Sequence, residues 1–168
     1  IVAADRIDEV INTKSSITDA ESPKSISNPK GLLVFDHVNF KYPGANENAL
    51  EDINFVAEPG KTTAIIGSTG CGKSTLVNLI PRLYDATEGS ITLDGENIKN
   101  ISMKELRDEL GYVPQKGILF SGTIESNIKF GAPEASMDIV KEAAEIAQAT
   151  EFIETKSAKY ESPIRSEE

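Results

Sequence analysis

The chain has 168 residues, 39% hydrophobic and 26% charged, and its 17 basic against 27 acidic residues leave a net charge of −10. That size suits one domain with a real core and excludes overall disorder, while the acidic balance excludes a broad nucleic-acid-binding face, which needs clustered positive surface. One cysteine rules out an internal disulfide framework and suits a reducing compartment. No apolar run reaches the ~18 residues of a membrane span, and no basic-then-apolar leader opens the chain, so the chain itself is expected to be soluble.

In chain order, Ile1, Val2, Ile7, Val10 and Ile11 have helical spacing. The pattern then dissolves through Ser15-Ser16, Ser22-Pro23-Lys24-Ser25 and Asn28-Pro29, so residues 1–30 read as a linker. From Leu32 the period becomes that of a strand, with Val34, Val38, Phe40 and Tyr42 on one face. Ile53, Phe55 and Ala57 alternate in a second strand before the Pro59-Gly60 turn. Thr62-Thr63-Ala64-Ile65-Ile66 is a short β-branched run expected to be a third strand, and the apolar residues of Thr75-Leu76-Val77-Asn78-Leu79-Ile80 recur with helical spacing. Ile91-Thr92-Leu93 and Ile98 flank Asp94-Gly95, a strong hairpin signal. Ser102 and Glu105 have the spacing of a capping box for a helix ending near Gly111. Tyr112-Val113 reads as a short strand running into Pro114-Gln115. From Met137 the chain is expected to be helical, with Val140, Ala143, Ala144 and Ala147 stacked on one face and Phe152 and Ile153 in a following turn. No internal repeat is present.

Between the expected third strand and the helix after it lies Gly67-Ser68-Thr69-Gly70-Cys71-Gly72-Lys73-Ser74, which fits GxxxxGK[ST]. Backbone can wrap a triphosphate only where no Cβ intrudes and some residues take positive φ, which is the use of Gly67, Gly70 and Gly72. The loop becomes a nest of N–H donors, and the helix starting near Lys73 adds a partial positive charge. Lys73 supplies a full charge, expected to bridge the β- and γ-phosphates, while the Ser74 hydroxyl is expected to ligate Mg2+, a hard ion that keeps oxygen ligands. The residues from Gly67 through Thr75 are thus the candidate nucleotide cradle. Cys71 reads as a small, tolerated side chain rather than a reactive thiol.

These motifs in this order resemble the nucleotide-binding domain of ABC transporters of the exporter type, and the likeness covers nearly the whole chain. Val34 to Pro43 resembles the opening strand of that domain, and the resemblance makes Tyr42 the aromatic that stacks on adenine. Tyr112-Val113-Pro114-Gln115 is similar to the Q-loop, which implies that Gln115 contacts magnesium and the attacking water and couples to the membrane domain. Leu119-Phe120-Ser121-Gly122-Thr123-Ile124 with Asn127-Ile128 resembles the segment that follows it, and Ile1 to Ile11 resembles the connection from preceding transmembrane helices. The resemblance implies an α/β fold: a partial P-loop NTPase core with an antiparallel β subdomain and the start of a helical subdomain. It divides the chain into residues 1–30, a linker following a transmembrane domain, and 31–168, the N-terminal part of the nucleotide-binding domain. The implied ligands are ATP and Mg2+. The implied partners are the transmembrane domain and a second nucleotide-binding domain in a head-to-tail dimer, at the cytoplasmic face of the membrane.

Three elements of that family's hydrolytic machinery are missing from these 168 residues: an LSGGQ signature, an apolar strand ending in Asp-Glu, and a switch histidine. Leu32-Leu33-Val34-Phe35-Asp36 imitates the second, but His37 stands where the glutamate belongs and the run lies upstream of the loop. Phe120-Ser121-Gly122-Thr123 imitates the first with a single glycine. The expectation is therefore an exporter ATP-binding portion in which Lys73 and Gln115 are the catalytic candidates, or, as the alternative, a nucleotide-binding fragment without turnover of its own. A P-loop GTPase or kinase would share the loop, but the guanine-reading [NT]-K-x-D is absent.

Overall fold

The computed structural model describes residues 2–165 and divides the chain into two compact units, residues 1–111 and 112–168. In the first unit, α1 (Val2–Asn12) precedes an irregular segment leading into β1 (Leu33–Phe40) and β2 (Leu50–Ala57). Ile1 of the expected amphipathic helix lies outside the described residues; Ile7, Val10 and Ile11 within it are exposed. After the glycine-rich loop come α2 (Lys73–Leu79), β3 (Glu88–Leu93), β4 (Glu96–Asn97), a 3-10 turn over Ile98–Asn100 and α3 (Met103–Asp108). The strands form one antiparallel sheet in the order β2-β1-β3-β4. The β3–β4 hairpin turns at Asp94 (φ 52) and Gly95 (φ 85), the two successive positive φ angles of a type I′ turn.

Simple alternation along β1 does not hold. Phe35, Val38 and Phe40 are the buried residues and Val34 is only half-buried, because pairing to β2 shifts register between Phe35 and Val38. His37 takes φ 47 there, and the extra residue of the bulge moves the inward set by one position. Phe35 stacks on Phe55 of β2 with centroids 4.5 Å apart. Leu76 and Leu79 of α2, Ile91 and Leu93 of β3, and Ile98, Ile101 and Leu106 complete the core, each burial contributing about 1.5–3 kcal/mol.

The polar segment before β1 is tied to this unit at several points. Asp94 accepts from the backbone N–H groups of Lys30, Gly31 and Leu32 at 2.8–3.1 Å, which holds its carboxyl below the ordinary carboxylate value against the opposing effect of burial. Lys24 donates its backbone N–H to the Asn100 carbonyl and its ammonium to Glu96. Arg82, 3% exposed, forks onto Asp85 at 3.0 and 3.1 Å and donates to the Thr18 carbonyl. The expected capping box of α3 is half formed: the Ser102 hydroxyl accepts from the Glu105 N–H, while the Glu105 carboxylate reaches Ile26 N–H (2.9 Å) and the Ser25 hydroxyl. The helix ends at Asp108, short of Gly111.

The second unit contains β5 (Gly122–Thr123), α4 (Ile124–Ile128), α5 (Met137–Ile146), α6 (Thr150–Glu154), a 3-10 turn over Lys159–Glu161 and β6 (Pro163–Ile164), with β5 and β6 antiparallel. Thr123 caps α4 with a reciprocal capping box to Ser126. Asn127 clamps the backbone before it, accepting from the Phe120 N–H at 2.7 Å and donating to the carbonyls of Phe120 and Thr123. A small core forms from Ile124, Val140, Ala144, Ile153 and Tyr160. On α5 the buried face is narrower than expected: Val140 and Ala144 are buried, but Ala143 and Ala147 are exposed. The i, i+4 pair Val140 and Ala144, with half-buried Met137 beside it, is the part of α5 that joins this small core. Phe152 faces outward and its neighbour Ile153 inward.

Two expected strands are not present. Thr62–Ile66 and Tyr112-Val113 run as irregular chain, and Ile66 and Val113 are each 92% exposed. A strand is defined by its ladder, and among the described residues neither segment has a strand to pair with.

Candidate nucleotide site

The glycine-rich loop is built on the first unit's core through α2. Gly72 is the residue before the helix, with φ 91 and ψ 5, and a Cβ there would lie 2.9 Å from the Ala49 carbonyl oxygen and 2.8 Å from Leu50 Cδ2. Only glycine lets the loop press this closely against the start of β2. Behind it, Leu76 donates its N–H to the Gly72 carbonyl at 2.8 Å, and Leu76 and Leu79 anchor the helix in the core. Gly70 also takes positive φ, 84°, at an open position. At Gly67 a Cβ would meet Cys71 Sγ at 2.4 Å.

The Lys73 ammonium folds back into its own loop, donating to the carbonyls of Gly67 (2.9 Å) and Ser68 (2.7 Å), with Cys71 Sγ at 3.6 Å. Those acceptors fix a cation at the centre of an exposed loop running from Gly67 through Ser68, Thr69 and Gly70 to Cys71. Ser74 is exposed on the first turn of α2; Thr75 is buried, and its Oγ1 lies 2.9 Å from the Tyr42 hydroxyl. Tyr42, two residues past the end of β1, is thereby bonded to the helix that carries the loop, and the structure brings together two residues that the sequence offered as base platform and part of the phosphate cradle. This contact was not legible from the sequence, nor was Tyr84, whose ring packs against Tyr42. The only available hint was an aromatic shortly after α2.

Gln115 belongs to the second unit, in an exposed irregular stretch between Gly111 and Ser121. His37 lies on the exposed bulge of β1, its Nδ1 2.7 Å from Asp52 Oδ1 and its Nε2 3.9 Å from Asp36. The hydrogen bond to Asp52, and then the charges of Asp52 and Asp36, raise the imidazole above its ordinary 6.5, while the same bond lowers Asp52.

A GxxxxGK[ST] loop seated on an antiparallel β unit, with a tyrosine bonded to the loop helix, has the arrangement that the sequence led one to expect of an ATP-binding domain of the cassette type. Comparison with known proteins agrees: the ABC transporter family profile matches residues 50–165, and the chain belongs to that family. It is 44% identical over 152 residues to the uncharacterized ABC transporter ATP-binding protein YfiB of Bacillus subtilis (strain 168), covering 90% of this chain and 26% of that protein. A Staphylococcus aureus (strain NCTC 8325 / PS 47) ATP-binding/permease protein, provisionally named for multidrug export, is 43% identical over 145 residues, 86% of this chain and 25% of its own length. Among solved structures, a bacterial Atm1-family ABC exporter with ATP bound superposes with a TM-score of 0.90 at 32% identity, covering 98% of this chain and 29% of that one. The chain thus spans about a quarter of the length of the curated relatives it matches, and corresponds to an ATP-binding portion of exporter-type proteins. Among the described residues no helix is long and apolar enough to cross a membrane.

Proposed function

We propose that this chain is the ATP-binding portion of an ABC exporter subunit, in which ATP binding and hydrolysis drive transport across a membrane. The observation that carries the reading is the Lys73 ammonium held by two loop carbonyls inside a glycine loop that a Cβ at Gly72 could not form. A polyphosphate entering this loop would meet backbone N–H groups and exchange one anionic oxygen for each carbonyl that now holds the ammonium. Gly67 to Thr75 hold the phosphates in this reading, Ser74 offers its hydroxyl to Mg2+, and Tyr42 presents its ring to adenine. Bound Mg2+ would neutralise charge on the phosphates. Gln115 is assigned contact with the metal and attacking water by its motif alone.

The same reading makes residues 1–30 the linker from a transmembrane domain, and 31–168 the first part of a nucleotide-binding domain. That domain pairs head-to-tail with a second copy or homologue at the cytoplasmic face. Titration of purified chain with a fluorescent ATP analogue in Mg2+ tests the site. Lys73→Ala removes a charge-assisted contact of about 1.5–3 kcal/mol, a loss of roughly ten- to a hundredfold, and unchanged affinity would overturn the assignment. Tyr42→Ala weakens binding by the ~1–3 kcal/mol of base–aromatic stacking, whereas Tyr42→Trp, which keeps a stacking face, is nearly neutral; equal effects would make Tyr42 a packing residue.

A second reading, nucleotide binding without turnover by these 168 residues taken alone, is favoured by the position of their only histidine: His37 precedes the phosphate loop, on the β1 bulge, with its Nδ1 2.7 Å from Asp52 Oδ1 of β2.

A further inference from the structure

Three aromatic rings meet beside α2. Phe40, buried at the end of β1, stands edge-on to Tyr42 with centroids 4.8 Å apart and planes at 81°. Tyr84 approaches Tyr42 from another side at 5.3 Å and 85°, and touches Phe40 at 5.4 Å. The two pairs that include Tyr42 have the separations and angles of favourable edge-to-face pairs, while Phe40 and Tyr84 are tilted at 51° to each other. With the Tyr42 hydroxyl bonded to Thr75, the Tyr42 side chain is restrained at its tip by the loop helix and at its ring by two aromatic neighbours.

Tyr84 is itself on a fixed base. The Leu83 N–H reaches back to the Asn78 carbonyl at the end of α2, Arg82 is forked onto Asp85, and the Lys99 ammonium holds the Ala86 carbonyl at 3.0 Å. A ring on a rigid segment can set the orientation of a neighbour, since removing it returns rotamer freedom to Tyr42 that binding must then take away. The atoms that a Cβ at Gly72 would meet belong to Ala49 and Leu50, not to Tyr84.

We infer that Tyr84 is a positioning residue for the nucleotide base: it holds the Tyr42 ring in place, and it does so without contributing to phosphate binding. The inference rests on the reading of Tyr42 as the base platform. Its signature is selectivity between ligands with and without a base.

The test measures competition of Mg·ATP and Mg·tripolyphosphate against a fluorescent ATP analogue on the purified chain, with thermal unfolding recorded for each variant. Tyr84→Ala is expected to weaken ATP by about three- to tenfold and leave tripolyphosphate within about twofold; Tyr84→Phe, which keeps the ring, restores ATP. Tyr84→Leu fills the volume without an aromatic edge and is expected to show the same selective loss, so the comparison stands even if Tyr84→Ala folds poorly. Parallel loss of both ligands in Tyr84→Leu would reduce Tyr84 to a support of α2, and unchanged ATP affinity would remove it from the site; either result overturns the inference. Tyr42→Ala separates the two levels of the argument. If it loses ATP selectively while Tyr84→Leu does not, only the role of Tyr84 fails; if it too changes both ligands equally, the base platform itself is wrong.

Discussion

Gly72→Ala isolates what the loop demands of its backbone. At φ 91 an L side chain is strained, at a cost of about 1–2 kcal/mol, and the added methyl would sit 2.9 Å from the Ala49 carbonyl oxygen, a backbone atom that cannot rotate away. The second close neighbour, Leu50 Cδ2 at 2.8 Å, is a side-chain end but belongs to a buried residue of the core. Overpacking of this kind adds about 1–3 kcal/mol, for a total of roughly 2–5 kcal/mol. At ~2–4 °C per kcal/mol for a chain of this size, the melting temperature should fall by roughly 4–20 °C. Two comparison variants separate the terms. Gly70→Ala carries positive φ with nothing within 4 Å, so only the conformational cost applies; Gly131→Ala meets neither condition and should be close to neutral. The assay is thermal unfolding followed by circular dichroism, with Mg·ATP titration of whatever remains folded, where Gly72→Ala is also expected to bind weakly because Lys73 follows directly. A Gly72→Ala variant as stable and as tight-binding as Gly131→Ala would refute the claim that close backbone approach fixes the loop.

Three further outcomes are expected. Asp85→Asn leaves the buried Arg82 guanidinium with a neutral acceptor in place of its carboxylate, and chemical denaturation should register a loss of about 1–3 kcal/mol, against a much smaller effect of Asp108→Asn, whose exposed carboxylate holds only a solvent-screened i, i+4 pair with Lys104. The folded-state pKa of His37 is raised, so its stabilising bond to Asp52 is fully present below the ordinary value of 6.5 and is lost as pH rises through the higher folded value. The gap in stability between wild type and His37→Gln should therefore shrink on going from about pH 6 to about pH 9 and shrink further in high salt, and a gap that widens with pH would contradict the assignment. Phosphate release by the 168-residue polypeptide taken alone should stay at the level of its Lys73→Ala control, because no Asp-Glu pair following an apolar strand, which the proposed hydrolysis needs to position water, is among these 168 residues; Lys73-dependent turnover would reverse this.

Local patterns carried the phosphate loop, the two long strands, the Asp94-Gly95 hairpin and the helices after Ser102 and Ser136, since each depends on side-chain period or turn chemistry within a few residues. They could not carry contacts between distant positions. Glu105 has the spacing of a capping residue, yet its carboxylate is taken by Ser25 and Ile26, some 80 positions away, and a lone carboxylate goes to whichever donors the fold brings nearest. The bulge at His37 moved the inward face of β1 from Val34 to Phe35, because register is set by pairing with β2 and β3 rather than by alternation alone. Thr62–Ile66 has the composition of a strand but no ladder among the described residues, and composition supplies side chains, not hydrogen-bond partners. Likewise the sequence offered Tyr42 and Thr75 separately, as an aromatic after one strand and a hydroxyl after a lysine. Only the packing of β1 against α2 set their oxygens 2.9 Å apart and placed Tyr84 behind them, because that distance depends on how a buried sheet and helix share one core.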